Sequence, residues 1–288
     1  MKPNRQDEDS RVGGFPDLSG LPVAEDAKED SQDWLGLMIG NSRLHWVWFV
    51  GEALCCAWDT EYLSFSAVER LIQGWDALEG EAEFFPSELR YKDRLPPLYI
   101  ASVVPKQTAV WQNYSDVHLI TLEQVPLQGV YPTLGIDRAL ALWGAGETWG
   151  WPMLVIDAGT ALTFTGADAN RCLVGGAILP GLGFQIQSLA QRTAELPLVD
   201  IQDGAVPPRW ALNTKEAIQS GVIHTIISGL RDFVEAWWQE FPDSYITLTG
   251  GDRAAILSYL QSQSPRIAAG LIADPHLIFW GMRTCCKS

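Results

Sequence analysis

The sequence predicts an α/β fold made of two similar halves, each a mixed sheet flanked by helices. Three observations carry that expectation. Short apolar runs of strand type alternate with stretches of helical periodicity. One unit (apolar strand, tight small-residue turn, returning strand, third strand, helix) occurs twice. The second copy begins about 120 residues after the first, a spacing too long for a solenoid repeat and suited to two lobes with a cleft between them. The expected organisation is a disordered acidic tail over 1–32, a first lobe over 33–146 and a second lobe over 147–288.

Residues 1–32 are polar, acidic and rich in Pro and Gly, so they are expected to stay unfolded. Order begins at Trp34. The run Trp34-Leu35-Gly36-Leu37-Met38-Ile39 is apolar on both faces, as a buried strand requires. Gly40-Asn41-Ser42 brings turn chemistry, and Leu44, Trp46, Trp48 and Val50 then alternate with their neighbours in a strand that folds back. Glu52 to Trp58 adds a third. Ser66 and Glu69 have capping-box spacing and open a helix running toward Trp75. Leu98 to Val103 is a further buried strand, and Pro105 suits the first turn of a helix carrying Val110 and Trp111. After Gly135 a helix covers Ala139 to Ala145.

The pattern then restarts. Met153 to Ile156 is a buried strand, Asp157-Ala158-Gly159-Thr160 a turn, Leu162 to Thr165 the return and Cys172 to Leu179 the third strand. Pro180 opens a helix reaching Arg192. Asn213 and Glu216 cap a long helix on which Ile218, Val222, Ile226, Leu230, Val234 and Trp237 recur every three or four residues. Tyr245 to Leu248 is a strand, Gly250-Gly251 a turn and Ala254 to Leu260 a short helix. Leu277 to Phe279 is expected to close the sheet as a last strand.

The bulk numbers narrow the function classes. With 288 residues, 47% of them hydrophobic, the chain can bury a sizeable core. A formal charge of −15 argues against nucleic acid, because an acidic surface repels phosphate backbones; a few arginines in a cleft can still hold an anionic substrate. Five cysteines, two vicinal pairs and a singleton, match neither a zinc spacing nor a secreted disulfide framework. No apolar run approaches the roughly 20 residues of a membrane span, and the first residues lack the core of a signal peptide. A cytoplasmic protein without membrane or nucleic-acid partners is expected.

A phosphate approaches backbone N–H groups closely only where side chains are small, so glycine and hydroxyl residues suit a phosphate turn. Gly40-Asn41-Ser42 and Asp157-Ala158-Gly159-Thr160 both qualify, at equivalent places in the two halves, and Thr249-Gly250-Gly251 follows a later strand. Neither GxxxxGK[ST] nor a GxGxxG after a strand is present. The order of phosphate turn one, phosphate turn two and adenosine glycines resembles the actin-like (ribonuclease H-like) ATPase superfamily. Of four scattered histidines, only His45 follows a phosphate turn closely enough to reach a nucleotide.

Two stretches sharpen the resemblance. Tyr131-Pro132-Thr133-Leu134-Gly135-Ile136-Asp137-Arg138 is similar to the substrate signature of type III pantothenate kinases, whose core is Gly-x-Asp-Arg. Asp157 to Thr163, then Gly175-Gly176-Ala177-Ile178-Leu179-Pro180-Gly181, resembles the same family's second phosphate region. Thr193-Ala194-Glu195-Leu196-Pro197 and Asn213 to Gly221 continue it in order, so the similarity covers roughly Trp34 to Gly281. The resemblance implies transfer of the ATP γ-phosphoryl group to the 4′-hydroxyl of pantothenate, in a homodimer with the substrate site near its interface. It implies Asp137 as the catalytic carboxylate and Tyr131, Gly135, Ile136, Arg138 and Thr214 as substrate contacts. ATP contacts fall on Met38, Ile39, Gly40, Asn41, Ser42, Arg43, Leu44, His45 and Thr160. Mg²⁺ accompanies ATP, and Asp157 matches a site for a monovalent cation, K⁺ or NH₄⁺.

One departure matters. The family's first phosphate motif reads Asp-x-Gly-Asn-Thr, and here the run is Met38-Ile39-Gly40-Asn41-Ser42. A thioether cannot replace an oxygen anion toward Mg²⁺. Either ATP phosphates and waters carry the metal with Asp157 and Asp137 nearby, or the enzyme is slower, or catalysis is lost. Retention of Asp137, Arg138, Asp157 and Thr160 favours the first. A non-catalytic regulatory relative that binds ligand without turnover is the alternative, and a sugar or acetate-type kinase is a third reading.

Overall fold

A computed structural model describes residues 32–74, 83, 85–90, 94–200 and 206–286. The first half opens as an antiparallel meander of β1 (Asp33–Ile39), β2 (Leu44–Val50) and β3 (Ala53–Thr60). Helices α1 (Phe65–Gln73) and α2 (Ser87–Arg90) precede β4 (Leu98–Ser102), which lies parallel to β1. After α3 (Pro105–Thr108), β5 (Val117–Leu119) joins parallel to β4. Helix α4 (Ile136–Trp149) leads into the second half, where β6 (Met153–Ala158), β7 (Ala161–Ala167) and β8 (Leu173–Pro180) repeat the meander. Then come α5 (Leu182–Arg192), α6 (Thr214–Glu240), β9 (Tyr245–Thr249), α7 (Arg253–Gln263), α8 (Pro265–Ala269), β10 (Leu271–Ala273) and α9 (Leu277–Cys285).

The sheet orders are β3-β2-β1-β4-β5 and β8-β7-β6-β9-β10, the same topology twice. That duplication is the arrangement expected of actin-like lobes. Strand alternation sorts the apolar side chains into three cores. Leu35, Leu37 and Ile39 pack outward with Trp46, Leu89 and Trp111. Leu154, Ile156 and Ala158 pack outward in the second lobe against α5, α6 and α7. Trp34 and Met38 of β1 and Met153 and Val155 of β6 face inward, sandwiching α4 and α9.

Several local expectations differ from the structure. Leu277 to Phe279 is not a strand but the first turn of α9, whose Leu277, Gly281, Met282 and Cys285 share a buried helical face. Helix α1 starts earlier than the Ser66–Glu69 spacing suggested: Ser64 is its N-cap, accepting from the Ala67 N–H at 3.1 Å. Trp75 and the tail over 1–31 lie outside the described residues. Asn213 does cap α6, accepting from the Glu216 N–H at 3.0 Å. Strands β5 and β10 were not foreseen. The division at 146/147 falls within α4, and α9, from the second half, packs on α4 and the first sheet.

Candidate active site

The two small-residue turns meet. Gly40 N–H donates to the Arg43 carbonyl at 3.1 Å to close the β1–β2 turn, and Gly159 N–H to the Ala161 carbonyl at 3.2 Å to close the β6–β7 turn. Ser42 Oγ and Thr160 Oγ1, on opposite lobes, lie 2.9 Å apart. The third glycine turn, after β9, locks onto the second: Asp252 N–H donates to the Ala158 carbonyl at 2.9 Å. Gly250 has φ +92°, and a Cβ there would come within 2.5 Å of Asp157 Oδ1, so the backbone admits glycine alone. Gly181, at the start of α5, donates to the Thr160 carbonyl at 2.9 Å.

Asp137 sits in the first turn of α4, with Oδ1 accepting from the Arg138 N–H at 2.7 Å. Burial raises its carboxyl above the ordinary range, against the lowering effects of the Arg138 N–H and guanidinium. Asp157 stands near the end of β6, on the side of the sheet that faces α4. Burial first, and then Asp137, push its carboxyl up to about 7. Two carboxyls from different lobes therefore share one poorly hydrated space. Such a pair of hard oxygen donors suits a cation.

Arg138 is only 8% exposed. Its guanidinium is held by neutral acceptors: Nε donates to Thr165 Oγ1 at 2.9 Å, Nη2 to the Phe164 carbonyl at 3.0 Å and Nη1 to the Tyr131 hydroxyl at 3.1 Å. Among the described residues it makes no ion pair. Three of five N–H donors are satisfied, which leaves a fixed, buried positive charge with two donors to spare. The seat depends on Gly176, where a Cβ would collide with the Phe164 carbonyl and stand 2.5 Å from Arg138 Nη2. Gly175-Gly176 was visible in the sequence, but its purpose required the fold.

The other predicted residues divide clearly. Asn41, Ser42 and Arg43 are exposed on the first turn, while Met38, Ile39 and Leu44 are buried and offer no side chain to a nucleotide. Gly135 is the N-cap of α4, and Ile136 is buried beneath it. Thr214 lies elsewhere, exposed in the first turn of α6 on the rim of a groove of about 390 Å³ that Leu189, Ile218 and Val222 also line. Two residues escaped the sequence reading. The Tyr62 hydroxyl donates to the Gly40 carbonyl at 2.6 Å. Asp59 holds both His45, at 2.8 Å, and Arg43, at 3.5 Å. Neither has a local motif: the register of β3 against β2 brings Asp59 to His45, and Tyr62 reaches Gly40 from the loop after β3.

Comparison with known proteins agrees with this geometry. The family model described as type III pantothenate kinase matches residues 34–236. A type III pantothenate kinase from Nostoc sp. (strain PCC 7120) is 56% identical over 274 residues, covering 90% of this chain and 96% of the relative. Another, from Synechocystis sp., is 42% identical over 264 residues, covering 91% and 93%. Among solved structures, a Baf family transcriptional activator from Campylobacter jejuni superposes with a TM-score of 0.58 at 20% identity, covering 88% of this chain and 97% of that one. The last likeness speaks to the fold alone.

Proposed function

The chain belongs to the type III pantothenate kinase family, and from that premise we propose which of its residues carry the reaction. It is an ATP-dependent kinase acting on pantothenate, within coenzyme A biosynthesis. The observation that carries the assignment of residues is the pairing of Asp137 with Arg138. A carboxylate and an unpaired buried guanidinium stand at consecutive positions on the cleft side of α4, between lobes whose phosphate turns touch.

The triphosphate lies along the turns at Gly40 to Arg43 and at Gly159-Thr160, with backbone N–H groups and the Ser42 and Thr160 hydroxyls as donors. The two spare donors of Arg138 take the pantothenate carboxylate, and Tyr131, already bonded to Nη1, narrows that end of the pocket. The acceptor hydroxyl then faces Asp137. A carboxyl raised by burial is a better proton acceptor than an ordinary Asp of pKa about 4, yet remains far weaker than an alkoxide. Asp137 therefore orients the hydroxyl and takes its proton late, as the phosphoryl group transfers through a loose transition state. Asp157 would hold the monovalent cation, whose charge would offset the repulsion between the two carboxylates. Mg²⁺, when bound with the nucleotide, neutralises charge on the transferred phosphoryl oxygens.

Dimer formation is part of the same reading. The edge strand β8 exposes Ile178 (65%), and Phe184, Trp210 and Leu212, later in the second lobe, are exposed as well. An apolar surface of this kind suits a second copy. Thr214, exposed on the rim of its groove, then completes the pocket of the opposite copy.

The test is substrate-dependent turnover. Purified protein should form phosphopantothenate only with ATP, Mg²⁺, pantothenate and K⁺ or NH₄⁺ together. Asp137→Asn should lower kcat by about 10²–10⁴-fold with little change in pantothenate binding. Ligand binding without product in the wild type would instead support a regulatory relative.

A further inference from the structure

The cleft-facing side of the first sheet carries a row of three side chains beside the first phosphate turn. Met38 on β1 pairs directly with His45 on β2, and His45 with Asp59 on β3, so the three side chains project from one face in line. Asp59 Oδ1 lies 2.8 Å from His45 Nδ1. An ionised carboxylate only accepts, so in the neutral ring the proton sits on Nδ1 and Nε2 keeps its lone pair. That second nitrogen faces the first phosphate turn, 3.3 Å from where a Cβ on Gly40 would stand. Tyr62 pins the same glycine through its carbonyl at 2.6 Å.

A carboxylate behind an imidazole, with the far nitrogen open, is how proteins prepare histidine for a cation or its water shell. The carboxylate fixes the tautomer and the orientation of the ring. A phosphate oxygen, itself an acceptor, would meet no donor at Nε2 of this tautomer, whereas a metal-bound water would meet an acceptor. Met38, next in the row, is 2% exposed and offers a hard cation nothing.

We propose that His45 and Asp59 form an outer contact for the hydrated divalent cation that enters with the nucleotide. Nε2 of His45 accepts from a water of its shell, and Asp59 is the positioning residue behind it. The inference rests on the ATP-kinase reading and supplies from β3 a carboxylate that β1 lacks. Asp59 also repels the nucleotide's charge, but its side chain is 47% exposed, so that repulsion is screened and positioning dominates.

The test uses the full chain. In long-range ¹H–¹⁵N spectra, the His45 ring should read as the Nδ1–H tautomer, changed in Asp59→Ala and retained in the near-isosteric Asp59→Asn. His45→Gln identifies the signal. Addition of Mn²⁺ with a non-hydrolysable ATP analogue should broaden His45 and leave His118 sharp. In turnover, Asp59→Ala and His45→Gln should each raise the Mg²⁺ concentration needed for half-maximal rate roughly tenfold, with the KM for pantothenate unchanged. A sharp His45 signal in the Mn²⁺ complex, or an unchanged Mg²⁺ requirement in both variants, overturns the proposal and leaves the kinase standing. Wild-type protein that turns over no ATP with pantothenate present defeats the kinase reading itself.

Discussion

Replacing Asp157 with asparagine should stabilise the nucleotide-free protein at neutral pH while weakening its use of ATP. Burial, with Asp137 adding to it, holds the Asp157 carboxyl at about 7, against 3.8 for the free side chain. The folded state thus binds this proton more tightly than the unfolded chain does. The stability linked to it is fully present below about pH 4 and is lost as pH rises through about 7. The difference is about 3 pH units, which at about 1.4 kcal/mol per unit sets an upper bound on the order of 4 kcal/mol. Asparagine never ionises, but its buried amide has a desolvation penalty of its own, leaving about 1–3 kcal/mol in favour of the variant. The assay is urea unfolding at pH 4 and pH 8, with tetramethylammonium as the sole added cation. The variant should be the more stable at pH 8, and the order should reverse at pH 4, where the wild-type carboxyl is protonated and only the amide's penalty remains. Added K⁺ should stabilise the wild type and leave the variant unmoved. Equal stabilities at pH 8, or a weaker variant there, would refute the claim that an unhydrated carboxylate pair awaits a cation.

Three further outcomes follow from the geometry. Arg138→Lys keeps the charge but loses the planar fork that reaches Thr165, Phe164 and Tyr131 at once, so the Kd for pantothenate should rise roughly 10–100-fold by calorimetry, with the Kd for ATP unchanged. Met38→Asp places a carboxylate at a 2%-exposed site in the inward core, and should lower the Tm by about 5–10 °C in cation-free buffer, equivalent to about 3 kcal/mol. An unchanged Tm would mean that water reaches position 38. Gly250→Ala forces a Cβ toward Asp157 at a left-handed backbone angle, and should destabilise the protein by about 1–3 kcal/mol in urea unfolding and weaken ATP binding.

Much of this was legible in the sequence for a physical reason: the inner strands are covered on both faces and so are apolar throughout. Trp34 to Ile39 and Met153 to Ile156 announced themselves by unbroken apolar character, and the turns after them by small residues. Leu277-Ile278-Phe279 misled because three apolar residues fit either period, and only Met282 and Cys285 beyond them reveal the helical face. Strands β5 and β10 have three residues each, too few for any pattern. The site divides in the same way. Asp137, Arg138, Asp157 and Thr160 sit in recognisable strings, but the encounter of two carboxyls from different lobes does not. Nor does the grip of Asp59 on His45, which exists only because β3 lies in one register against β2.

The placement of α9 bears on how the protein is made. Its Leu277, Phe279 and Met282 join Trp34, Val47 and Phe49 in the inward core, although the two groups come from opposite halves of the sequence. The first sheet's inward side thus has α4 as partial cover and needs α9, from the second half, to complete it. A first lobe folding alone would therefore expose apolar surface that α9 covers in the finished protein. Contacts of β1 and β2 with α9 join segments far apart in sequence, and such non-local closure is slow to form.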